Sequence, residues 1–244
     1  MTVGSSIRFV GIAGILSAVL VTAGGIVLAP LPYDLSSPAT KFATVVINNR
    51  GALRSGELLL LVAIVPLILF AGGILEILNQ DVTLSRVLRR AALGFATTTA
   101  AMFAVSYGVA AAVATTAQDS APDTVRMVYG VSGSAAVVGS LFLGLFVLTT
   151  SVLALVAHRL PRWVRWMGVV SGLCLAIGSF ALVTGAGFLS LFYIIGFYLS
   201  QAWFIVAGVS ILIGRSSGQP EQAVKSSGTK ATSEPASLIA GGRV

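Results

Sequence analysis

Residues 58–75 read LLLLVAIVPLILFAGGIL, an uninterrupted apolar stretch bounded by Glu57 and Glu76. A helix of roughly 20 apolar residues crosses a bilayer core of about 30 Å, so this stretch predicts a membrane-spanning helix. Further stretches without charged residues precede and follow it, at 9–33, 91–118, 127–157 and 166–214. The chain is therefore predicted to cross a membrane several times.

Composition supports the same interpretation. Charged residues make up 9% of the 244 residues, hydrophobic residues 56%, and the mean hydropathy is +0.97. A soluble domain has about 25% charged residues and could not keep so apolar a surface in water. The formal net charge of +7 is assigned to membrane orientation and not to nucleic-acid binding, because the basic residues lie at the ends of apolar stretches.

Six membrane-spanning helices are predicted, so the expected fold class is an all-α polytopic membrane helix bundle. The stretch 166–214 is too long for one span, and Gly185 and Gly187 favour a turn that divides it. The predicted spans are about 7–29, 55–78, 91–116, 128–157, 165–182 and 188–213. We expect residues 1–215 to form the bundle and residues 216–244, rich in Ser, Gly, Pro and Lys, to form a disordered tail.

An even number of spans places both termini on one side of the membrane, and basic residues indicate which side. The termini and the loops on their side carry eleven Lys and Arg residues. The opposite side carries four, namely Lys41, Arg50, Arg54 and Arg126. Both termini and the tail are therefore predicted to be cytoplasmic, and the predicted location is the cytoplasmic membrane.

The segment after the first span is predicted to contain a short external helix at about 38–50. Ser37 followed by Pro38 is typical of a helix start. Phe42, Val45 and Val46 then follow at the i, i+3, i+4 spacing of an amphipathic helix. We expect this helix to lie on the outer membrane surface or over the mouth of the bundle.

The densest polar cluster near a predicted membrane face contains Asn48, Arg50, Arg54 and Glu57. Two arginines in an outward-facing pocket could hold an anionic head group or a carboxylate, and an acidic residue in a span is a functional candidate. The alternative is a cap for the second span, in which Glu57 lies in the first helical turn and pairs with Arg54. About 28 Å of helix separates Glu57 from Glu76, so both are expected near an interface.

A second group of candidate ligand-binding residues lies within the predicted spans and consists of Tyr107, Tyr198 and Gln201. A buried glutamine requires hydrogen-bond partners, which a ligand in a polar cavity or a neighbouring helix could supply. Both possibilities stay open. Small residues such as Gly168 and Gly172, a GxxxG pair, are expected to serve close helix packing.

No catalytic residue, metal site or cofactor is predicted. A single histidine, His158, excludes bis-histidine haem ligation and histidine-cluster metal sites. A single cysteine, Cys174, excludes a CxxC centre and an intrachain disulfide. The predicted spans contain no lysine for a Schiff base, and the chain has no P-loop motif. Enzymatic function is therefore disfavoured.

Three stretches resemble the bacterial DUF4386 family of multi-pass membrane proteins, namely IRFVGIAG at 7–14, VINNRGALRSG at 46–56 and HRLPRWVRWMG at 158–168. They are similar to the family's R-x-A-G-L opening, its external helix with an R-x-G entry to the next span, and its S-x-x-L-P-R-x-L-G connection. Glu57 stands where we expect Ala, Leu or Asp. The resemblance implies the fold, the topology and a bacterial inner membrane, but the family has no assigned activity.

The leading hypothesis is a non-enzymatic integral membrane protein, either a structural or accessory subunit or a binder of a lipid or small ligand between its helices. Two alternatives stay open. One is a transporter or channel for small molecules or ions, lined by Tyr107, Tyr198 and Gln201. The other is a lipid-acting enzyme that uses the outer Arg and Glu cluster. Expected partners are the lipid bilayer and a second protein or further copies of this chain, and no nucleic acid.

Overall fold

The computed structural model describes residues 3–29, 37–79, 83–184 and 187–213. Over these ranges the chain forms helices and short connections without any strand, which confirms the all-α fold class. The helices are α1 (Val3–Leu28), α2 (Ala39–Asn48), α3 (Arg50–Ile77), α4 (Thr83–Thr116), α5 (Pro122–Ala157), α6 (Arg162–Thr184) and α7 (Gly187–Ile213). The predicted tail at 216–244 and Gly185 of the predicted turn lie outside the described residues.

Among the described helices, six are long and apolar enough to cross a membrane, namely α1 and α3–α7. This finding confirms a polytopic bundle of six spans. Several helices begin before the predicted apolar spans: α3 begins at Arg50, α4 at Thr83 and α5 at Pro122. The difference arises because helical geometry continues through polar and charged residues at the ends of each apolar stretch.

The long helices pack side by side in a ring. Helix α3 packs between α1 and α4, and α5 packs between α4 and α6. Helix α7 closes the ring, because Gly196 of α7 lies against the backbone of α6 at Leu175 and Gly208 lies against Gly11 of α1. The carbonyl oxygen of Gly208 is 2.7 Å from the position that a Cβ of Gly11 would occupy.

Glycines also permit close contact where α5 crosses α6. A Cβ on Gly144 would lie 2.9 Å from the carbonyl oxygen of Gly172, and a Cβ on Gly172 would lie 2.6 Å from that of Gly144. These distances leave no room for a side chain between the two backbones. The packing role expected for Gly172 is confirmed by this contact.

Aromatic side chains fill the centre of the helix bundle. Phe70 of α3 makes edge-to-face contacts with Trp203 and Phe204 of α7, at centroid distances of 6.0 and 5.2 Å. Phe146 of α5 stacks on Phe204 at 6.4 Å. Lipid tails are as apolar as these side chains, so moving the rings from lipid into the bundle provides little hydrophobic driving force. Dispersion contacts between the rings therefore contribute more to helix association.

Helix α2 lies across one end of the bundle. Its residues Phe42, Ala43 and Val46 are buried. The ring of Phe42 makes an edge-to-face contact with Tyr129 of α5 at 5.6 Å, and Arg126 Nη1 donates a hydrogen bond of 3.4 Å to the carbonyl of Ser37. The helix predicted at about 38–50 therefore packs against the end of the bundle, in contact with α5 and α3. We call this end the α2 end.

Candidate functional site

Glu57 lies on the inner face of α3. The buried residues Leu53, Glu57, Leu60, Ile64 and Leu67 follow one another at spacings of three or four, so they share one stripe of the helix. Glu57 is only 7% exposed. It lies about two turns into α3, because the helix begins at Arg50 and not at residue 55.

The expected ion pair of Glu57 with Arg54 is wrong, and Glu57 does not lie in the first turn of its helix. Arg54 is exposed while Glu57 is buried, and among the described residues no ion pair joins them. Glu57 instead lines a partly open cavity together with Phe42 of α2.

A partly open cavity of about 240 Å³ lies beneath α2 in the α2 end of the bundle. Side chains from α1 to α5 form its walls, and no Lys, Arg or His is among the described residues that line it. The lining residues are Leu28, Phe42, Glu57, Leu60, Ser106, Tyr107, Tyr129, Ser132, Gly133 and Ala136.

Hydroxyl groups on the cavity wall join α4 to α5. Ser132 Oγ donates a hydrogen bond of 2.9 Å to the carbonyl of Ser106, and the two serine Oγ atoms are 3.3 Å apart. Tyr129 donates from its phenol oxygen to the carbonyl of Ala110 at 3.4 Å. Interhelical bonds of this kind contribute about 0.6–2 kcal/mol each in a membrane. They hold the polar wall of the cavity in place.

The carboxylate of Glu57 differs from these hydroxyls. Its Oε2 atom is buried and has no hydrogen-bond partner within the described part of the chain. A buried polar atom without a partner costs about 1–3 kcal/mol, and more when it is charged. Glu57 therefore presents an acceptor that a molecule in the cavity could satisfy.

A second, smaller cavity of about 20 Å³ lies next to the first, towards the aromatic centre of the bundle. Leu60 and Tyr107 line both cavities. Gln201 of α7, which is buried, and Ser17 of α1 provide polar groups to the smaller one. Its volume is about that of a single water.

The structure brings together three of the seven predicted ligand-binding residues. Glu57 and Tyr107 line the larger cavity, and Tyr107 and Gln201 line the smaller one. The other four are exposed and line neither described cavity: Tyr198 on α7, and Asn48, Arg50 and Arg54 where α2 joins α3. Tyr198 is 66% exposed, so Tyr198 and Gln201 lie on different faces of α7.

Among the wall residues that were not predicted as ligand-binding, four are aromatic or carry a hydroxyl, namely Phe42, Ser106, Tyr129 and Ser132. Ser106 adjoins Tyr107 on α4, and Tyr129 and Ser132 are three residues apart on α5. That spacing places both on one helix face and is the only sequence signal for them. Serines occur on many faces of these helices, so the signal was weak.

The arrangement is suited to binding an organic molecule. One carboxylate, aromatic rings and hydroxyls surround a space whose remaining walls are apolar. Within the described residues, no group of three or more His, Cys, Asp or Glu lies together as metal ligands would. Of the outer Arg and Glu cluster in the lipid-acting enzyme alternative, Glu57 lines the cavity, but Arg50 and Arg54 are exposed and do not line it.

Comparison with known proteins places the chain in a family without describing its activity. The model of one protein family, described as a domain of unknown function (DUF4386), matches residues 8–213. No significant match was found among curated proteins or among solved structures. The matched range covers all six candidate spans except the first residues of α1.

Proposed function

This chain belongs to the DUF4386 family, and we propose that it is a non-enzymatic membrane protein that binds a small organic ligand in the cavity beneath α2. One observation carries this proposal. Glu57 is buried in the wall of a cavity of about 240 Å³, and its Oε2 atom has no partner within the described residues. A ligand with a hydrogen-bond donor would supply that partner.

The size and lining of the cavity support a small ligand that is mostly apolar. A cavity of about 150 Å³ is sufficient for benzene, so the space beneath α2 can hold a single ring with a short substituent. Ligand sites are commonly apolar with a few polar groups that fix orientation. Leu28, Leu60 and Ala136 contribute the apolar part of the wall, beside the carboxylate and the hydroxyls.

We further propose that the bundle lies in a bacterial cytoplasmic membrane with both termini inside. Eleven basic residues on the side of the termini against four on the other side support this orientation. The α2 end, and with it the cavity, then lies in the outer half of the membrane. A role as an accessory subunit of another protein, or as an assembly of copies of this chain, stays a prediction.

Transport is the second candidate function, and one observation favours it. Leu60 and Tyr107 line both cavities, so the two cavities adjoin each other between the α2 end and Gln201. If the protein is a transporter, liposomes that contain it should release a trapped solute faster than liposomes without protein. Equal release from both would contradict this candidate and leave ligand binding unaffected.

Native mass spectrometry of the purified full-length chain in mild detergent tests the binding proposal. We expect the protein to retain a small organic mass. Ala136→Phe, which fills the cavity, should remove that mass, whereas Ala101→Phe on the exposed face of α4 should not. A bare protein, or a mass that survives Ala136→Phe unchanged, would contradict binding in this cavity.

A further inference from the structure

We infer that the ligand of the cavity beneath α2 is an organic ammonium, with its cationic group against the Glu57 carboxylate and its apolar part along Leu60 and Ala136. This inference rests on the proposed function and adds to it the chemical class of the ligand. Three features of the described cavity support it: its charge, its aromatic rings and its apolar volume.

Charge is the first feature. Among the described residues that line the cavity, Glu57 is the only carboxylate, and none has a basic side chain that could neutralise it. An anionic ligand would be repelled by the carboxylate, and a neutral ligand would stabilise its charged form less than a cation does. A cationic donor both neutralises Glu57 and forms a charge-assisted hydrogen bond to Oε2, the stronger kind of hydrogen bond.

Aromatic rings are the second feature. Phe42 from α2, Tyr107 from α4 and Tyr129 from α5 line the same cavity as Glu57. Phe42 and Tyr129 meet edge to face at 5.6 Å, so the two rings lie in different planes. Aromatic rings around a site attract organic cations through their negative faces, and the attraction grows when water is excluded. The combination of three rings and one carboxylate therefore favours an ammonium over an inorganic cation.

The apolar volume is the third feature. An inorganic cation would leave most of the space of about 240 Å³ unfilled. The walls formed by Leu28, Leu60 and Ala136 gain from contact with an apolar group. An ammonium that carries one ring or a short chain satisfies both the carboxylate and these walls.

Three probes of similar size and different charge test the inference. These are 2-phenylethylamine, which is protonated at neutral pH, 2-phenylethanol and 3-phenylpropanoate. Isothermal titration of the full-length protein in detergent should show the amine binding about tenfold or more tightly than the alcohol, because only the amine forms a hydrogen bond between two charged groups. The carboxylate probe should bind most weakly.

Substitutions of Glu57 then assign the preference to this residue. In Glu57→Gln the amine and the alcohol should bind within about twofold of each other, since the charge is gone and the shape is kept. Glu57→Asp keeps the charge and should keep the preference for the amine. Glu76→Gln, at an exposed position on the same helix, should bind all three probes as the unmodified chain does.

The outcomes separate the inference from the proposed function. If amine and alcohol bind equally and Ala136→Phe abolishes both, the ammonium inference is overturned while the cavity remains a ligand site. If the amine preference persists in Glu57→Gln, the cation does not bind at Glu57 and the inference is also overturned. If no probe binds and the protein carries no retained mass, both the inference and the proposed function fail.

Discussion

Glu57 and Glu76 lie on the same helix, α3, in opposite environments. Glu57 is 7% exposed and its Oε2 atom has no partner within the described chain. The side chain of Glu76 is 72% exposed, and its Oε1 atom accepts a hydrogen bond of 3.2 Å from Arg89 of α4. An exposed ion pair of this kind contributes about 0–1 kcal/mol. Of the two acidic residues, Glu57 is the one with a buried oxygen that lacks a hydrogen-bond partner in the described chain.

Replacing Glu57 by leucine should stabilise the protein without ligand. The substitution removes a buried polar group that lacks a partner at Oε2, and the associated cost is about 1–3 kcal/mol. We expect a higher thermal unfolding midpoint in detergent, accompanied by loss of the retained ligand. Glu76→Leu is the matched control and should change stability by less than about 1 kcal/mol. A lower midpoint for Glu57→Leu than for Glu76→Leu would show that Glu57 serves the fold.

Ser132→Ala should destabilise the bundle, because Ser132 Oγ donates to the Ser106 carbonyl across the α4–α5 contact. The expected loss is about 0.6–2 kcal/mol, the range for hydrogen bonds between membrane helices. Ser134→Ala is the control: Ser134 is exposed and bonds to the carbonyl of Gly130 in its own helix. Chemical unfolding in mixed micelles measures both. Equal effects would mean that the interhelical bond contributes nothing.

Gly172→Ala should destabilise the crossing of α5 and α6. Its Cβ would lie 2.6 Å from the carbonyl oxygen of Gly144 and 2.6 Å from the amide nitrogen of Leu148, and backbone atoms cannot move aside cheaply. Overpacking of this kind costs about 1–3 kcal/mol. Gly94→Ala, which meets open space, should be neutral or stabilising by up to about 1 kcal/mol. Thermal unfolding measures the stability of both variants. Equal unfolding midpoints for Gly172→Ala and Gly94→Ala would contradict the close contact of α5 with α6.

Phe42→Ala should loosen α2 without unfolding the six long helices. Phe42 is buried against Tyr129, and its ring is the main contact of α2 with the cavity. Hydrogen exchange measured by mass spectrometry should become faster over residues 39–48 and stay unchanged in the central parts of α3 and α5. Thr44→Ala, on the exposed face of α2, should leave the exchange of α2 unchanged. Uniformly faster exchange would mean that α2 is required for the whole bundle.

Part of the candidate site could be predicted from the sequence. Glu57, Tyr107 and Gln201 stood out because polar side chains are rare and costly in apolar spans. The arginines were misleading: Arg50 lies two turns before Glu57 at the exposed start of α3, and Arg54 is exposed beside the buried stripe that contains Glu57. Ser132 and Tyr129 could not be distinguished from many other small or polar residues until the contact of α5 with α4 was known.

The sequence by itself determined the class of the protein and its number of spans. Length and apolarity suffice for that, because a bilayer imposes one helix of about 20 residues for each crossing. It also indicated the amphipathic helix α2, since Phe42 and Val46 form an apolar face in an otherwise polar loop.

Only the tertiary structure decided which face of each helix points inwards. In a soluble protein the apolar face of a helix identifies the side that packs in the core. A membrane helix is apolar on its lipid-facing side as well, so its hydrophobic pattern does not distinguish the lipid-facing side from the packed side. The ring of helices turns Glu57 towards the interior and Tyr198 away from it. Packing of α2 over the bundle end then covers Glu57, and this contact between distant parts of the chain creates the cavity.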